Sequence, residues 1–126
     1  KYSGGNNYDE RIFNLVKEGK AIPVCPEQLG GLPTPRFASE INDEKVINKN
    51  NEDVTVQYKK GAEETLNLAK KLGIKQAILQ PRSPSCGKGK IYSGKFDGTL
   101  INGNGITAEL LMKNGIEVLM PDEYFN

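Results

Sequence analysis

Apolar residues follow two spacings along the chain, helical steps of three and four and short continuous runs, and the two alternate. Val54, Tyr58, Ala62, Leu66, Ala69 and Leu72 share one helical face, predicting a helix over 54–72. Asp53 suits its N-cap and Gly73 its stop, while Gly61 costs propensity in the middle. Ile12, Phe13, Leu15 and Val16, with Asp9 and Glu10 ahead and Gly19 behind, predict an earlier helix within 8–20. A third is expected at 106–114, entered from Asn102-Gly103-Asn104-Gly105, with Thr107 as candidate cap and Gly115 as stop. The short runs at 21–25, 74–79 and 116–120 read as strands. Pro23 lacks a ladder donor and makes the first of these an edge or irregular one.

The intervening stretches read as turns and loops. Residues 26–41 contain Gly30-Gly31, Pro33 and Pro35, so a loop and no helix is expected there, long enough to suggest a function. The asparagine-rich stretch 43–53 has Val46-Ile47 as its apolar pair and suits a small hairpin; 91–96 suits another, turning at Ser93-Gly94. Ser3-Gly4-Gly5 and Asp97-Gly98 read as turns. Helices alternating with strands imply an α/β fold, expected here as a three-layer Rossmann-like sandwich around a short, mostly parallel sheet. At 126 residues the chain suits one domain, 1–126. It opens on Lys1 and Tyr2-Ser3-Gly4-Gly5 as if in mid-loop, so a segment is expected upstream.

Composition narrows the chemistry. With no histidine, Ser-His-Asp and Cys-His catalysis and His-based zinc sites are excluded within this sequence, leaving carboxylates, lysine, tyrosine and cysteine for proton transfer. A formal net charge of +1, with basic residues scattered, makes nucleic acid an unlikely partner. Apolar runs fall short of a membrane span. Two cysteines make no disulfide framework, which suits a cytoplasmic location.

Those two cysteines sit in unusual company. Cys86 lies in the loop 80–90, Gln-Pro-Arg-Ser-Pro-Ser-Cys-Gly-Lys-Gly-Lys, after the second strand, and Cys25 ends the first strand beside Pro26 and Glu27. Ligands of open parallel sheets bind at the carboxyl ends of strands, so both thiols are expected on one edge. Three readings stay open. The thiols are small buried apolar residues, although little apolar neighbours them in sequence. They are reactive thiols, activated by a cation such as Arg36, Arg82 or Lys88. Or they ligate a metal or iron–sulfur group, for which two ligands are too few unless another precedes Lys1. Glu27 is a candidate acid or base, though most glutamates simply face solvent. Asn102–Gly105 has the look of a phosphate loop, but a plain turn is the better reading.

Val24-Cys25-Pro26-Glu27, Gly30-Gly31-Leu32-Pro33-Thr34-Pro35-Arg36, Ser83-Pro84-Ser85-Cys86-Gly87, Tyr92-Ser93-Gly94 and Gly105-Ile106-Thr107-Ala108 together carry a resemblance. Across nearly its whole length the chain resembles the thiouracil desulfidases, a small bacterial family long catalogued only as a domain of unknown function. The resemblance implies a [4Fe-4S] cluster held by three cysteines, with one iron open to the sulfur of a thiolated nucleobase or nucleoside. It implies cluster ligands at Cys25 and Cys86, catalytic roles for Glu27 and Ser83, and substrate contacts from Ser85, Pro84 and Arg36. The family's first cysteine lies just before the stretch that opens this chain, so residues 1–126 supply two of the three ligands. Phe37-Ala38 stand where the family tends to have prolines. Against this stand a cluster-free sulfurtransferase or redox protein, and a small-molecule-binding module with structural cysteines.

Overall fold

The computed structural model describes residues 9–126; the Ser3-Gly4-Gly5 turn and the expected helix start at Tyr8 lie outside them. Asp9 opens the first helix, α1 (Glu10–Lys17), its carboxylate accepting the Arg11 backbone N–H at 2.9 Å. A one-turn helix, α2 (Pro26–Leu29), follows, then the strands β1 (Ser39–Asn42) and β2 (Lys45–Asn48), paired antiparallel as a tight hairpin. The long helix α3 (Thr55–Leu72) comes next. Asp53 accepts both the backbone N–H and the hydroxyl of Thr55, at 2.9 and 2.6 Å, and Gly73 ends the helix at φ +68°. Beyond it lie β3 (Gln76–Ile78), β4 (Lys90–Tyr92), β5 (Leu100–Asn102), α4 (Ile106–Lys113), β6 (Glu117–Leu119) and α5 (Pro121–Tyr124).

The fold is α/β as expected, but its helices and strands do not alternate strictly: β1–β2 and β3–β5 follow one another without a helix between. Its sheet also differs from the one expected. Among the described residues the strands form three separate pairs, and only β3–β6 is parallel. A three-layer Rossmann-like sandwich around one mostly parallel sheet is therefore not what these pairings build. Residues 21–25 form no strand: Cys25 has extended angles, yet Ile22 and Val24 stay exposed and no described strand pairs with them. Residues 26–29 are helical where a loop was expected, because Pro26 takes the first helical position, where its missing N–H costs nothing. The 91–96 hairpin is wider than expected: β4 pairs with β5 across 93–99, and buried Glu40 accepts the Gly94 and Phe96 N–H groups at 2.9 and 3.0 Å.

Two apolar clusters meet along α3. Leu66 and Ala69 pack with Leu79, Cys86, Ala108, Leu111, Ile116 and Val118; Tyr58 packs with Val46 and Val54. The helix therefore presents one end of its buried face to the β1–β2 hairpin and the other to α4 and the parallel pair.

Gly61 has a purpose that its propensity hides. A Cβ there would fall on the Pro26 carbonyl oxygen, and one at Gly30 would fall on the Gln57 carbonyl, so α2 and α3 touch backbone to backbone through two glycines. In an exposed helix Gly61→Ala would stabilise by about 1 kcal/mol. Here the backbone overlap outweighs that gain, and a net loss of roughly 1–3 kcal/mol is expected. A urea midpoint at or above that of the parent protein would refute the contact.

Candidate functional site

The α2 side of the site is built on one turn of helix. Cys25 is its N-cap residue and half-buried, and Glu27 is buried at 4% exposure, rare for a glutamate. The Arg36 guanidinium reaches back from the following loop. Its Nη2 lies 3.7 Å from Glu27 Oε2 and donates to Cys25 Sγ at 3.4 Å, while its Nη1 holds the Pro33 carbonyl and Thr34 hydroxyl at 3.1 and 2.9 Å. The Cys25 thiol faces Glu27 Oε1 at 3.9 Å, and Tyr58 on α3 donates to Glu27 Oε2 at 3.4 Å. A buried carboxylate is tolerable only with partners of this kind.

The second side is the loop carrying Cys86. Ser83 through Gly87 are all buried, so the expectation of little to pack against is overturned. Cys86 belongs to the larger apolar cluster, because α3 and α4 close over a loop whose own residues are polar. The loop owes its shape to α4. Ile106 N–H donates to the Pro84 carbonyl at 2.8 Å, Thr107 and Ala108 N–H donate to the Ser85 carbonyl at 2.8 and 3.1 Å, and Gly105 N–H donates to the Gly87 carbonyl at 2.7 Å. These bonds occupy the first donors of the helix, so Asn102–Gly105 is not a phosphate cradle. Thr107 proves no N-cap; its hydroxyl and that of Ser85 bond each other at 2.8 Å, both fully buried. Ser83 Oγ accepts the Cys86 backbone N–H at 2.7 Å, leaving its own proton to donate.

The two sides converge. Burial pushes the Cys86 thiol up to about 12; the hydroxyls of Ser85 and Ser83 pull it back, and Glu27 and Cys25 are near enough to raise it further. Cys25 and Cys86 lie near enough for charge on one to act on the other, brought there by α2 and the α4-bound loop and by no common sheet edge. A thiol so shielded is protonated at neutral pH and is a poor nucleophile unaided. Of the cations considered for activating a thiol, Arg36 alone is seen against one. Lys88 holds the Val118 carbonyl and Glu123, and Arg82 is exposed.

Among the sequence candidates, Cys25, Glu27 and Arg36 form one contact group, and Ser83, Ser85 and Cys86 the other, with Pro84 lending its carbonyl to α4. Tyr58 and Thr107 were missed as polar partners. Tyr58 occupies an ordinary core position of a helix, and Thr107 looked like a cap. An open groove of about 660 Å³ adjoins the site; Arg36 and Ser39 line it together with Leu32, Pro33, Phe37 and Val54.

As ligands, the thiols supply part of what a cluster requires. No group of three cysteine, histidine or carboxylate side chains stands ready for a metal among the described residues. Two converging sulfurs, one buried and one half-buried, fit two thiolate positions of an iron–sulfur group. No helix among the described residues is long and apolar enough to cross a membrane.

The family model described as 2-thiouracil desulfurase matches residues 1–123. The chain is 41% identical to the uncharacterized protein YbbK of Bacillus subtilis (strain 168), an alignment covering 98% of this chain and 88% of that protein. Among solved structures it is similar to the [4Fe-4S]-dependent thiouracil desulfidase TudS, with a TM-score of 0.84 and 42% identity, covering 93% of this chain and 78% of that one.

Proposed function

Because the chain belongs to the 2-thiouracil desulfurase family, we propose that it desulfurates a thiolated pyrimidine of the thiouracil or thiouridine type, with a [4Fe-4S] cluster as cofactor. The reaction exchanges C=S for C=O: water supplies the oxygen, the sulfur leaves as sulfide, and nothing is oxidised or reduced. The observation that carries this reading is the buried Glu27 carboxylate set against the Cys25 thiol and held by Arg36 and Tyr58.

Cys25 and Cys86 would hold the cluster as two of the three cysteine ligands that the family resemblance implies. When bound, the cluster supplies an open iron site, a Lewis acid and soft acceptor for sulfur. Glu27 lies beside Cys25 and takes the proton of the attacking water. Ser83, whose hydroxyl proton is turned toward the Cys86 sulfur, holds the departing or arriving polar atom of the base. Ser85 and Pro84 act through the shape of the loop, and Arg36 through its hold on Cys25 and Glu27. The substrate is a small molecule, and the compartment a reducing cytoplasm, where thiolate-held iron persists.

The test is anaerobic iron–sulfur reconstitution of the full-length gene product, followed by 2-thiouracil in ¹⁸O-labelled water. A brown protein that yields ¹⁸O-uracil and sulfide is the expected result. Desulfuration by the iron-free protein would instead favour thiol-based sulfur transfer. Thiouracil binding without turnover, unaffected by Cys86→Ala, would favour a binding module.

A further inference from the structure

We propose that Tyr58 is a positioning residue: its hydroxyl holds one oxygen of Glu27 and leaves the other to work at the Cys25 thiol. The inference rests on the reading of Glu27 as the proton-handling group.

The two carboxylate oxygens have different surroundings. Oε2 takes the Tyr58 hydroxyl at 3.4 Å and lies 3.7 Å from Arg36 Nη2; Oε1 faces the Cys25 sulfur at 3.9 Å. Burial, then the Glu27 charge, hold the Tyr58 hydroxyl above the usual phenol range, so it keeps its proton and donates. Ser39 acts the opposite way on Tyr58, as a hydroxyl donating to the phenolic oxygen does. The hydroxyl on α3 thus holds the carboxylate on α2 across two sequence-distant elements. The packing of Tyr58 against Val46 and Val54 needs only its ring. A phenylalanine would fill the same core position, and the hydroxyl donates to the Glu27 carboxylate. A misplacement of such a group by about 1 Å can cost 10²-fold in rate.

Tyr58→Phe keeps the ring and removes the hydroxyl. In the cluster-loaded full-length protein, kcat is expected to fall roughly 10- to 100-fold with KM unchanged. The same substitution in a Glu27→Gln background should cost nothing further, because the group it positions is gone. A readout independent of turnover is the ¹³C line of Glu27 in protein labelled at the glutamate carboxyl, identified by its loss in Glu27→Gln. That line should move in Tyr58→Phe. An unmoved line overturns the proposal, as do equal losses of kcat in both backgrounds or a fall in bound iron that accounts for the lost rate. If the parent protein proves inactive on thiolated pyrimidines, the functional reading fails, while the carboxyl line still decides whether Tyr58 holds Glu27.

Discussion

Cys86→Ala in the full-length gene product is expected to abolish both the brown colour after reconstitution and the desulfuration of 2-thiouracil, while costing only about 1 kcal/mol in stability. The asymmetry follows from how Cys86 is placed. Its backbone, not its sulfur, makes the loop: the Cys86 N–H donates to Ser83, and the neighbouring Pro84, Ser85 and Gly87 carbonyls anchor α4. Removing the sulfur leaves all of these bonds intact and opens a cavity of one atom beside Leu66, Leu79 and Ala108. On the proposed reading the same sulfur would be one of the cluster's ligands. Iron analysis and absorbance measure the first effect, product formation the second, and a urea midpoint the third. A variant that stays brown and active would remove Cys86 from the ligand set. Activity lost with the colour intact would make it a reactive thiol.

Gly105→Ala is expected to cause the larger structural damage. Its φ of −65° and ψ of 160° suit any residue, so no conformational strain arises. The cost is purely steric: a Cβ would fall on the carbonyl of Ser85 and stand 2.6 Å from the Cys86 backbone nitrogen. These are backbone atoms that cannot rotate aside, and the N-cap position also disfavours alanine. A loss of roughly 3 kcal/mol or more is expected, together with impaired iron binding. Gly115→Ala is the control. It has open space but φ +80°, so only the left-handed penalty of about 1–2 kcal/mol applies. If the two variants melt alike, the contact between Gly105 and the cysteine loop does not constrain the fold.

Much of this was legible in the residues. The extent of α3 followed from its apolar spacing and its end from Gly73, both of which act within a few residues. Its N-cap is Val54 and not the expected Asp53, whose carboxylate instead holds Thr55 from one residue further out. The Cys25–Glu27 and Ser83–Cys86 segments stood out because small, polar and thiol-bearing residues cluster where no strand or helix needs them. The strand expected at 21–25 failed because a strand requires a partner, and the partner is never written in the strand itself. The helix at Pro26–Leu29 was hidden by the prolines and glycines around it, which signal a loop even though Pro26 is well placed to start a helical turn.

By itself, the sequence determined the three longer helices, the absence of histidine chemistry and the residue types at the candidate site, since these depend on local spacing and composition. Only the tertiary structure decided that the thiols meet without a shared sheet edge, that Cys86 is buried under α3 and α4, and that Tyr58 reaches Glu27. It also revealed the purpose of Gly61 and Gly105, where local propensity shows only a weak helix former and a turn. Each of these is a contact between residues far apart in the chain. Such contacts depend on how finished elements pack, and packing is set by the shapes of both partners at once.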